Sequence, residues 1–359
     1  MDIRDATISY EKWMRNCTTV VEAHLRLKHQ RMKDDAFMFF RGTYYRWIQL
    51  WPEVCKDVRS APNVLAVGDL HVGSFGTWRD VEGRLCWGVD DFDEAFPLPY
   101  TNDLVRLAAS LRFVLDSGQL TIKWKEGCDA ILEGYQQSLK RGGCPFVLAE
   151  REQALEKLGL AVMQKPCDFW KNLQDLPAAG KDLPRDARNA LEKELPGKNL
   201  EYKVVRREAG MGSLGQQRLV AIAEWEGGCV AREAKAVVPS SSLWLENHVA
   251  HRQSFYDRVI SSAVRSRDPY QKVIGTWLIR RLSPDSNPIN LDALPRERDE
   301  ARLLHAMASE AANVHLGTGR QVKRILKDLD GRKANWLRTA AKEMAKVMMR
   351  EWKKYASEK

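Results

Sequence analysis

Between Val64 and Ala95 the chain reads VLAVGDLHVGSF, a short connector through Glu82 and Gly83, then LCWGVDDFDEA. Asp69, His71, Asp90, Asp91 and Asp93 fall in two polar bursts, each at the end of an apolar run. Carboxylates held close together repel one another unless a cation or a shared proton neutralises them. A divalent metal with oxygen ligands is the economical neutraliser, and magnesium is the first candidate. The apolar runs at 64–67 and 85–89 read as buried strands that deliver these acids to one edge of a sheet.

A second block, YKVVRREAGMGSLGQQRLVAIAEWEGGCVAREAKAVVPS from Tyr202, reads as strand, glycine-containing turn, strand, Gly-Gly hairpin and strand. Gly210, Gly212 and Gly215 have GxGxxG spacing, with Ser213 inside it. A strand rather than a helix follows the glycines, which disfavours a dinucleotide-binding turn. Glycines between antiparallel strands, with a lysine on the next strand, instead suit a loop that covers phosphates. Lys235 stands on that strand. Arg232 competes with it as the phosphate contact; three apart on a strand, the two face opposite sides, so only one points at the cleft. A plain hairpin with a glycine bend is the structural alternative. Arg41, among the aromatics of FMFFRGTYYRWIQLW and beside Gly42, is a candidate anion-binding or carboxylate-pairing arginine.

These candidates need elements to hold them. Residues 1–60 read as helix, loop and helix, with Lys28 to Asp35 as a charged connector. Phe37, Phe40, Tyr44 and Trp47 recur three or four apart on a core-facing stripe. Asp103, ahead of LVRLAASLRFVL, is placed to cap a helix start. Helix continues over 120–160, interrupted by RGGCP at 141–145. Residues 165–200 are polar and proline-containing and read as a linker or insertion. QKVIGTWLIRRLSP reads as a buried strand into a turn, and a long helix runs from Arg296 to His315. The division is therefore an N-terminal helical segment over 1–60, a catalytic and metal-binding lobe over 61–164, the linker or insertion over 165–200, a glycine-loop nucleotide-binding lobe over 201–290 and C-terminal helices over 291–359. The class is α+β, and 359 residues exceed one typical core.

The net charge of +9 looks like a nucleic-acid signal until it is located. Residues 320–359 hold 13 Lys/Arg against 5 Asp/Glu, nearly the whole excess. Trp336, Leu337, Ala340, Met344, Val347, Met348, Trp352 and Tyr355 repeat at three and four there. That is an amphipathic basic helix, which either packs on the body or docks with an acidic partner, a membrane or nucleic acid. No 18-residue apolar run occurs, and MDIRDATISYEKW carries acids where a signal peptide is apolar, so a soluble cytoplasmic protein is expected. The seven cysteines form no CxxC pair and read as reduced, mostly buried thiols.

GDLHVGSFG, DDFDEA and NDLVRLAASL, preceded by FFRG and followed by GMGSLG and EAKAVVPS, resemble the bacterial family catalogued as domain of unknown function 2252, over about Phe37 to Gly319. That family is similar in turn to the protein-kinase-like superfamily, above all its aminoglycoside and choline phosphotransferase branch. There an HGDLHxGN loop supplies a base and an IDFxDA segment a metal-binding aspartate. The resemblance implies a two-lobed protein-kinase-like fold and an ATP- and Mg²⁺-dependent phosphotransferase. It makes Asp69 the catalytic aspartate with His71 supporting the loop, and Asp91 the main magnesium ligand with Asp93 near it. Lys235 would hold phosphates beneath the loop of Gly210, Gly212, Ser213 and Gly215. Ser74 stands where the phosphotransferases carry a metal-binding asparagine, and Val67 where they carry the first histidine. Kinases place the glycine loop and lysine before the catalytic aspartate. Here both follow it, so a circular permutation is expected, with extra helices at both ends.

The acceptor stays open between a small hydroxylated molecule and a protein side chain, and nucleotidyl transfer suits the same cleft. A nucleotide-binding pseudokinase or regulatory protein is the alternative from another class. GDxH also opens the metallophosphoesterase pattern, but no GDxxDRG-like or GNHE-like segment follows it.

Overall fold

The computed structural model describes residues 1–161, 163–180, 183–246, 254–288 and 299–357. Four helices open the chain: α1 (Ile3–Cys17), α2 (Glu22–Asp34), α3 (Ala36–Gly42) and α4 (Tyr44–Val54). The charged run expected as a connector is the second half of α2, because its Lys, Arg, Gln and Met are good helix formers and Met32 is buried in the core. The aromatic segment that follows divides at Thr43 into α3 and α4. Phe37, Phe40, Tyr44 and Trp47 are all buried, as their spacing predicts.

The chain then forms two small sheets. β1 (Asn63–Ala66) pairs antiparallel with β4 (Phe96–Pro99). β2 (Phe75–Arg79), β3 (Leu85–Val89) and the short β5 (Phe146–Val147) make a separate three-stranded sheet. The apolar runs at 64–67 and 85–89 are thus not partners along one edge. The turn through Glu82 and Gly83 closes a β2–β3 hairpin, and β2 lacks an apolar-run signature because Gly76, Thr77 and Arg79 interrupt it. The acids meet because two loops meet, one between β1 and β2 and one between β3 and β4.

Behind these loops lie the long helices. α5 (Tyr100–Asp116) and α6 (Trp124–Arg141) pack with α13 (Glu300–Leu316) in the main hydrophobic core. The short α7 (Leu148–Arg151) and α8 (Gln153–Ala161) follow β5. The remaining sheet has five antiparallel strands: β6 (Tyr202–Arg206), β7 (Arg218–Trp225), β8 (Gly228–Ala236), β9 (Lys272–Ile274) and β10 (Trp277–Leu282), in the order β6-β7-β8-β10-β9. The stretch 165–200, expected as a linker or insertion, contributes to this sheet's packing. It carries α9 (Pro166–Gln174) and α10 (Arg185–Glu194), one on each face. Phe169 and Leu173 meet Val220, Ile222 and Leu282, while Ala187, Ala190 and Leu191 meet Leu219, Ala221, Ala234 and Ile279. The alternation along β7 sends its apolar side chains to both helices.

Between β8 and β9 stand the short α11 (Ser241–Leu245) and α12 (Tyr256–Ser262). The expected start of the long helix at Arg296 lies outside the described residues. After α13 come α14 (Val322–Asp330) and α15 (Trp336–Ser357). The apolar stripe of α15 packs on α5 and on the N-terminal helices. Arg46 Nε donates to Glu351 at 2.6 Å, Trp352 Nε1 donates to the Met32 carbonyl at 3.1 Å, and the Tyr355 hydroxyl meets His29 Nδ1 at 2.6 Å. Lys342, Lys346, Arg350 and Lys354, four apart, stay exposed on the other face. No described helix is long and apolar enough to cross a membrane. Of the seven cysteines, expected as mostly buried, only Cys55, Cys86 and Cys128 are buried.

The tightest helix contact is between α6 and α13, where a Cβ on Gly134 would collide with the His305 carbonyl. Gly134→Ala must therefore push two backbones apart, an overpacking cost of about 3 kcal/mol. Urea denaturation checks this: a variant as stable as wild type would show that the helices separate freely.

Candidate active site

Two buried residues one turn apart on α5 set the loop after β1. Asp103 accepts hydrogen bonds from the Val67 and Gly68 amides at 2.7 and 3.0 Å, and from His315 Nε2 of α13 at 2.9 Å. The expected helix-capping role does not fall to Asp103. α5 begins at Tyr100, so the carboxylate sits inside the helix and turns to the loop. Arg106 donates from Nε to Asp69 Oδ1 at 2.6 Å, pairs with it through Nη2, and gives Nη2 to the Phe40 carbonyl at 2.9 Å. Its guanidinium lies 4.2 Å from the Phe40 ring and 4.9 Å from the rings of Tyr44 and Trp47. Burial raises the Asp69 pKa above the usual carboxylate value against the pull of Arg106.

The rest of this loop is tied to itself. Ser74 Oγ donates to the Asp69 carbonyl and accepts from the His71 amide, both at 3.0 Å. The candidate metal-ligating hydroxyl is therefore engaged within the loop. His71 Nδ1 accepts from the Gly73 amide at 3.0 Å, and burial, reinforced by Arg41 and Arg106, holds the ring's pKa well below the usual value, so it is neutral at pH 7. Gly68 has φ +83°, and a Cβ there would collide with the Glu94 carbonyl, so the two acidic loops touch only because this residue is glycine.

The second loop carries the other acids. Lys235 Nζ, on β8, lies 2.5 Å from Asp93 Oδ2 and 3.5 Å from Asp91 Oδ1. Lys235 is 2% exposed, whereas the Asp91 side chain is 47% exposed. Burial raises both aspartates; Lys235 and Arg218 overcome it at Asp91 and hold that group ionised, while the charge of Asp91 adds to burial and raises Asp93. Burial also pushes Asp90 up to about 6, against Arg280. Glu94 is pushed by burial up to about 7, although it accepts from the Ser241 amide at 2.6 Å and from the Ser241 and Ser240 hydroxyls at 2.8 and 3.0 Å.

The sheet supplies the cationic wall. Glu233, two residues before Lys235 and on the same face, is fully buried among Arg207 Nη1 at 2.7 Å, Arg218 Nη1 at 3.0 Å and Arg280 Nε at 2.6 Å. Those guanidinium groups outweigh burial and hold Glu233 well below the ordinary carboxylate range. Arg218 also donates from Nη2 to Ser213 Oγ at 2.6 Å. Arg232 faces away from the cleft. It donates to the Glu194 carbonyl at 2.9 Å and stacks 3.9 Å from the Tyr270 ring, so of the two competing cations Lys235 is the one that faces the acids.

These loops, the sheet and α2 and α3 enclose a cleft of about 520 Å³. Asp69, His71, Ser74, Asp91, Asp93 and Lys235 line it, as do Gly210, Gly212 and Arg41. The glycine loop folds down over Asp69: the Cβ position of Gly212 is 3.7 Å from Asp69 Oδ2. Ser213 and Gly215 do not line the cleft. Ser213 is held by Arg218, and the Gly215 carbonyl accepts from the Val21 amide at 2.8 Å. Sequence reasoning missed Arg218, Arg280, Glu233 and Lys28. Glu233 had a legible signal, since strand alternation puts it beside Lys235. Lys28, buried on α2 with its Nζ 2.9 Å from the Gly212 carbonyl, had none.

Residues 20–163 match a bacterial family described as "Uncharacterized protein conserved in bacteria", domain of unknown function 2252. The match holds both acidic loops, Arg41, Asp103 and Arg106. It ends before the glycine loop and Lys235, short of the span to Gly319 expected from the motifs. No match is found among curated proteins or among solved structures.

Asp90 and Glu94 bind protons more tightly in the folded chain than in the unfolded one. The stability they contribute is complete at low pH and is lost as pH rises through about 6 for Asp90 and about 7 for Glu94. Over this window each group costs up to about 1.4 kcal/mol per pH unit. Glu94→Gln keeps the acceptor for Ser241 and removes the upper part of that slope in urea melts run from about pH 5 to pH 8. An unchanged slope would place the proton elsewhere.

Proposed function

We propose that this chain, whose residues 20–163 belong to that bacterial family, binds ATP with Mg²⁺ and transfers the γ-phosphoryl group to a hydroxyl, as a circularly permuted kinase-like phosphotransferase. The observation that carries the reading is the ion pair of Lys235 with Asp93 at 2.5 Å, with Asp91 at 3.5 Å. In protein kinases a glycine-rich loop covers the phosphates, a lysine on the third strand holds them, and an aspartate in a DFG-type segment binds the metal. Here Lys235 lies on the third strand of the five-stranded sheet, below Gly210 and Gly212, and meets the aspartates of DDFDEA. The kinase order of parts is inverted in the chain, and their meeting in space supports the permutation.

Among the described residues no three His, Cys, Asp or Glu side chains form a ready-made metal group. Magnesium commonly takes one or two carboxylates and completes its shell with phosphate oxygens and water. Asp91, exposed and ionised, with Asp93 beside it, fits a magnesium that arrives with the nucleotide. When bound, the metal would neutralise charge on the β- and γ-phosphates.

The chain's own groups do the rest. Lys235 takes the nucleotide phosphates against the wall of Arg207, Arg218 and Arg280, and the glycines let backbone amides approach them. Arg106 occupies Asp69 Oδ1, which leaves Oδ2 toward the cleft. The acceptor oxygen bonds to the γ-phosphorus, the bond to the bridging oxygen breaks, ADP leaves with that electron pair, and the acceptor proton passes to Asp69. His71, neutral and tied to Gly73, positions the loop. One observation favours a second reading, nucleotide binding without turnover: the Ser74 hydroxyl is engaged within its loop where the phosphotransferases carry a metal-binding asparagine.

Calorimetry with Mg·ATP on wild type, Asp91→Ala and Lys235→Ala, followed by product analysis, tests this. Binding falls at least about tenfold in both variants, whose melts report folding, and Asp69→Asn keeps binding while turnover drops about 10²-fold or more. ADP as product supports phosphoryl transfer and pyrophosphate supports nucleotidyl transfer. Binding without any product, with no acceptor supplied, favours the pseudokinase and calls for an acceptor screen, and wild type that fails to bind Mg·ATP ends the kinase-like reading.

A further inference from the structure

Seven cations line the cleft, and five of them stand beside a carboxylate: Lys235 on Asp93 and Asp91, Arg31 on Glu208, and three arginines on Glu233. Lys28 and Arg41 have no such partner among the described residues. Arg41 Nε is buried without a hydrogen bond, and its Nη1 has only the Met38 sulfur, at 4.0 Å. The guanidinium rests 5.7 Å from the Phe37 ring and 3.7 Å from the Cβ position of Gly73. Lys28 is 6% exposed and uses one of its three donors, on the Gly212 carbonyl. Asp69 and neighbouring acids attract both groups from a distance without pairing with either, and a cation withdrawn from water without a paired carboxylate is costly, so two such groups in one cleft describe a place suited to an anion.

Their position separates them from the phosphate wall. Both come from the N-terminal helices, α2 and α3, whereas Lys235, Arg218 and Arg280 stand on the five-stranded sheet and Arg207 directly follows β6. Lys28 holds the tip of the glycine loop where the Cβ position of Gly212 is 3.6 Å from the Arg41 carbonyl and 3.7 Å from Asp69 Oδ2. A planar guanidinium with a free Nε and Nη edge suits a two-oxygen anion bound side-on, and the Lys28 ammonium, held on Gly212 in the same cleft, adds a point charge.

We propose that Arg41 and Lys28 form an oxyanion subsite beside Asp69, and that the acceptor is a hydroxylated compound bearing a phosphate or carboxylate group. The word acceptor rests on the phosphotransferase reading; the anion subsite stands on its own geometry. The hydroxyl to be phosphorylated would then reach Asp69 Oδ2 from an anchor in the same cleft.

The test is calorimetric titration of inorganic phosphate and, separately, acetate into wild type saturated with Mg²⁺ and a non-hydrolysable ATP analogue. One anion binds per chain, and the stronger of the two probes says which oxyanion the subsite prefers. Arg41→Gln and Lys28→Gln each weaken it about tenfold, while in Arg41→Gln affinity for the analogue changes less than about twofold. Arg41→Lys, which keeps the charge and loses the fork, falls between, and it replaces Arg41→Gln if that variant melts early. The proposal is overturned if neither anion binds the loaded protein, if both Arg41 variants bind anion like wild type, or if Arg41→Gln loses the analogue tenfold and so belongs to the nucleotide site. If wild type does not bind the analogue, the phosphotransferase reading has failed by itself. The anion titration on the free protein then decides the subsite: Arg41-dependent binding upholds it and Arg41-independent or absent binding overturns it.

Discussion

The structure turns on one ammonium group placed between two acids. Lys235 is buried, and an unpaired cation there would be severely destabilising, so Asp93 and Asp91 must come to it. That requirement ties the β3–β4 loop to the third strand of a sheet 142 positions further along the chain. It also fixes the face on which Glu233 and its arginines stand, since strand alternation carries the whole set together. The charge pattern resembles a loaded clamp: positive along the sheet, negative along the loops, with a cleft between them.

The clamp needs a rigid jaw, and α5 provides it. Asp103 and Arg106 have opposite charges and grip three consecutive residues where the loop leaves β1, one through the Val67 and Gly68 amides and the other through the Asp69 carboxylate. Both are fully buried: Asp103 is met by the two loop amides and His315, and Arg106 by Asp69, the Phe40 carbonyl and the rings of Phe40, Tyr44 and Trp47, with Nη1 alone left without a hydrogen bond. The N-terminal helices thus do more than cover the core. They furnish the aromatic seat of Arg106, and from the same stretch of chain they project Arg41 and Lys28 into the cleft.

Much of this was legible in the chain. β3 and β6–β8 follow from apolar runs and glycine punctuation, and the α+β class follows with them. The proximity of Lys235 to Asp91 was an expectation from motif order, and the ion pair agrees with it. What was not legible has physical reasons. β2 is short and broken by Gly76 and Arg79, so the hairpin was invisible and two separate sheets were read as one edge. α9 and α10 are marginal helices by composition and gain their order from packing on both faces of the five-stranded sheet. Charged residues inside the apolar helix α5 were a signal, but alternative readings as caps or surface groups compete until the loop they hold is seen.

The pairing of Arg46 with Glu351, of His29 with Tyr355, and of Asp103 with His315 has a consequence for how the chain is made. These contacts span 305, 326 and 212 positions, so the main core is sewn from both ends of the chain. The five-stranded sheet, in contrast, is nearly self-contained between Pro166 and Leu282 and can settle early. During synthesis at roughly 5–20 residues per second, the first four helices would wait tens of seconds for their contacts with α13 and α15. Phe40 and Trp47 find Phe113 and Asn102 of α5 early, whereas Phe39 meets the Tyr355 ring, 5.4 Å away, only once the last helix is made, so the seam closes from α5 outward to α15.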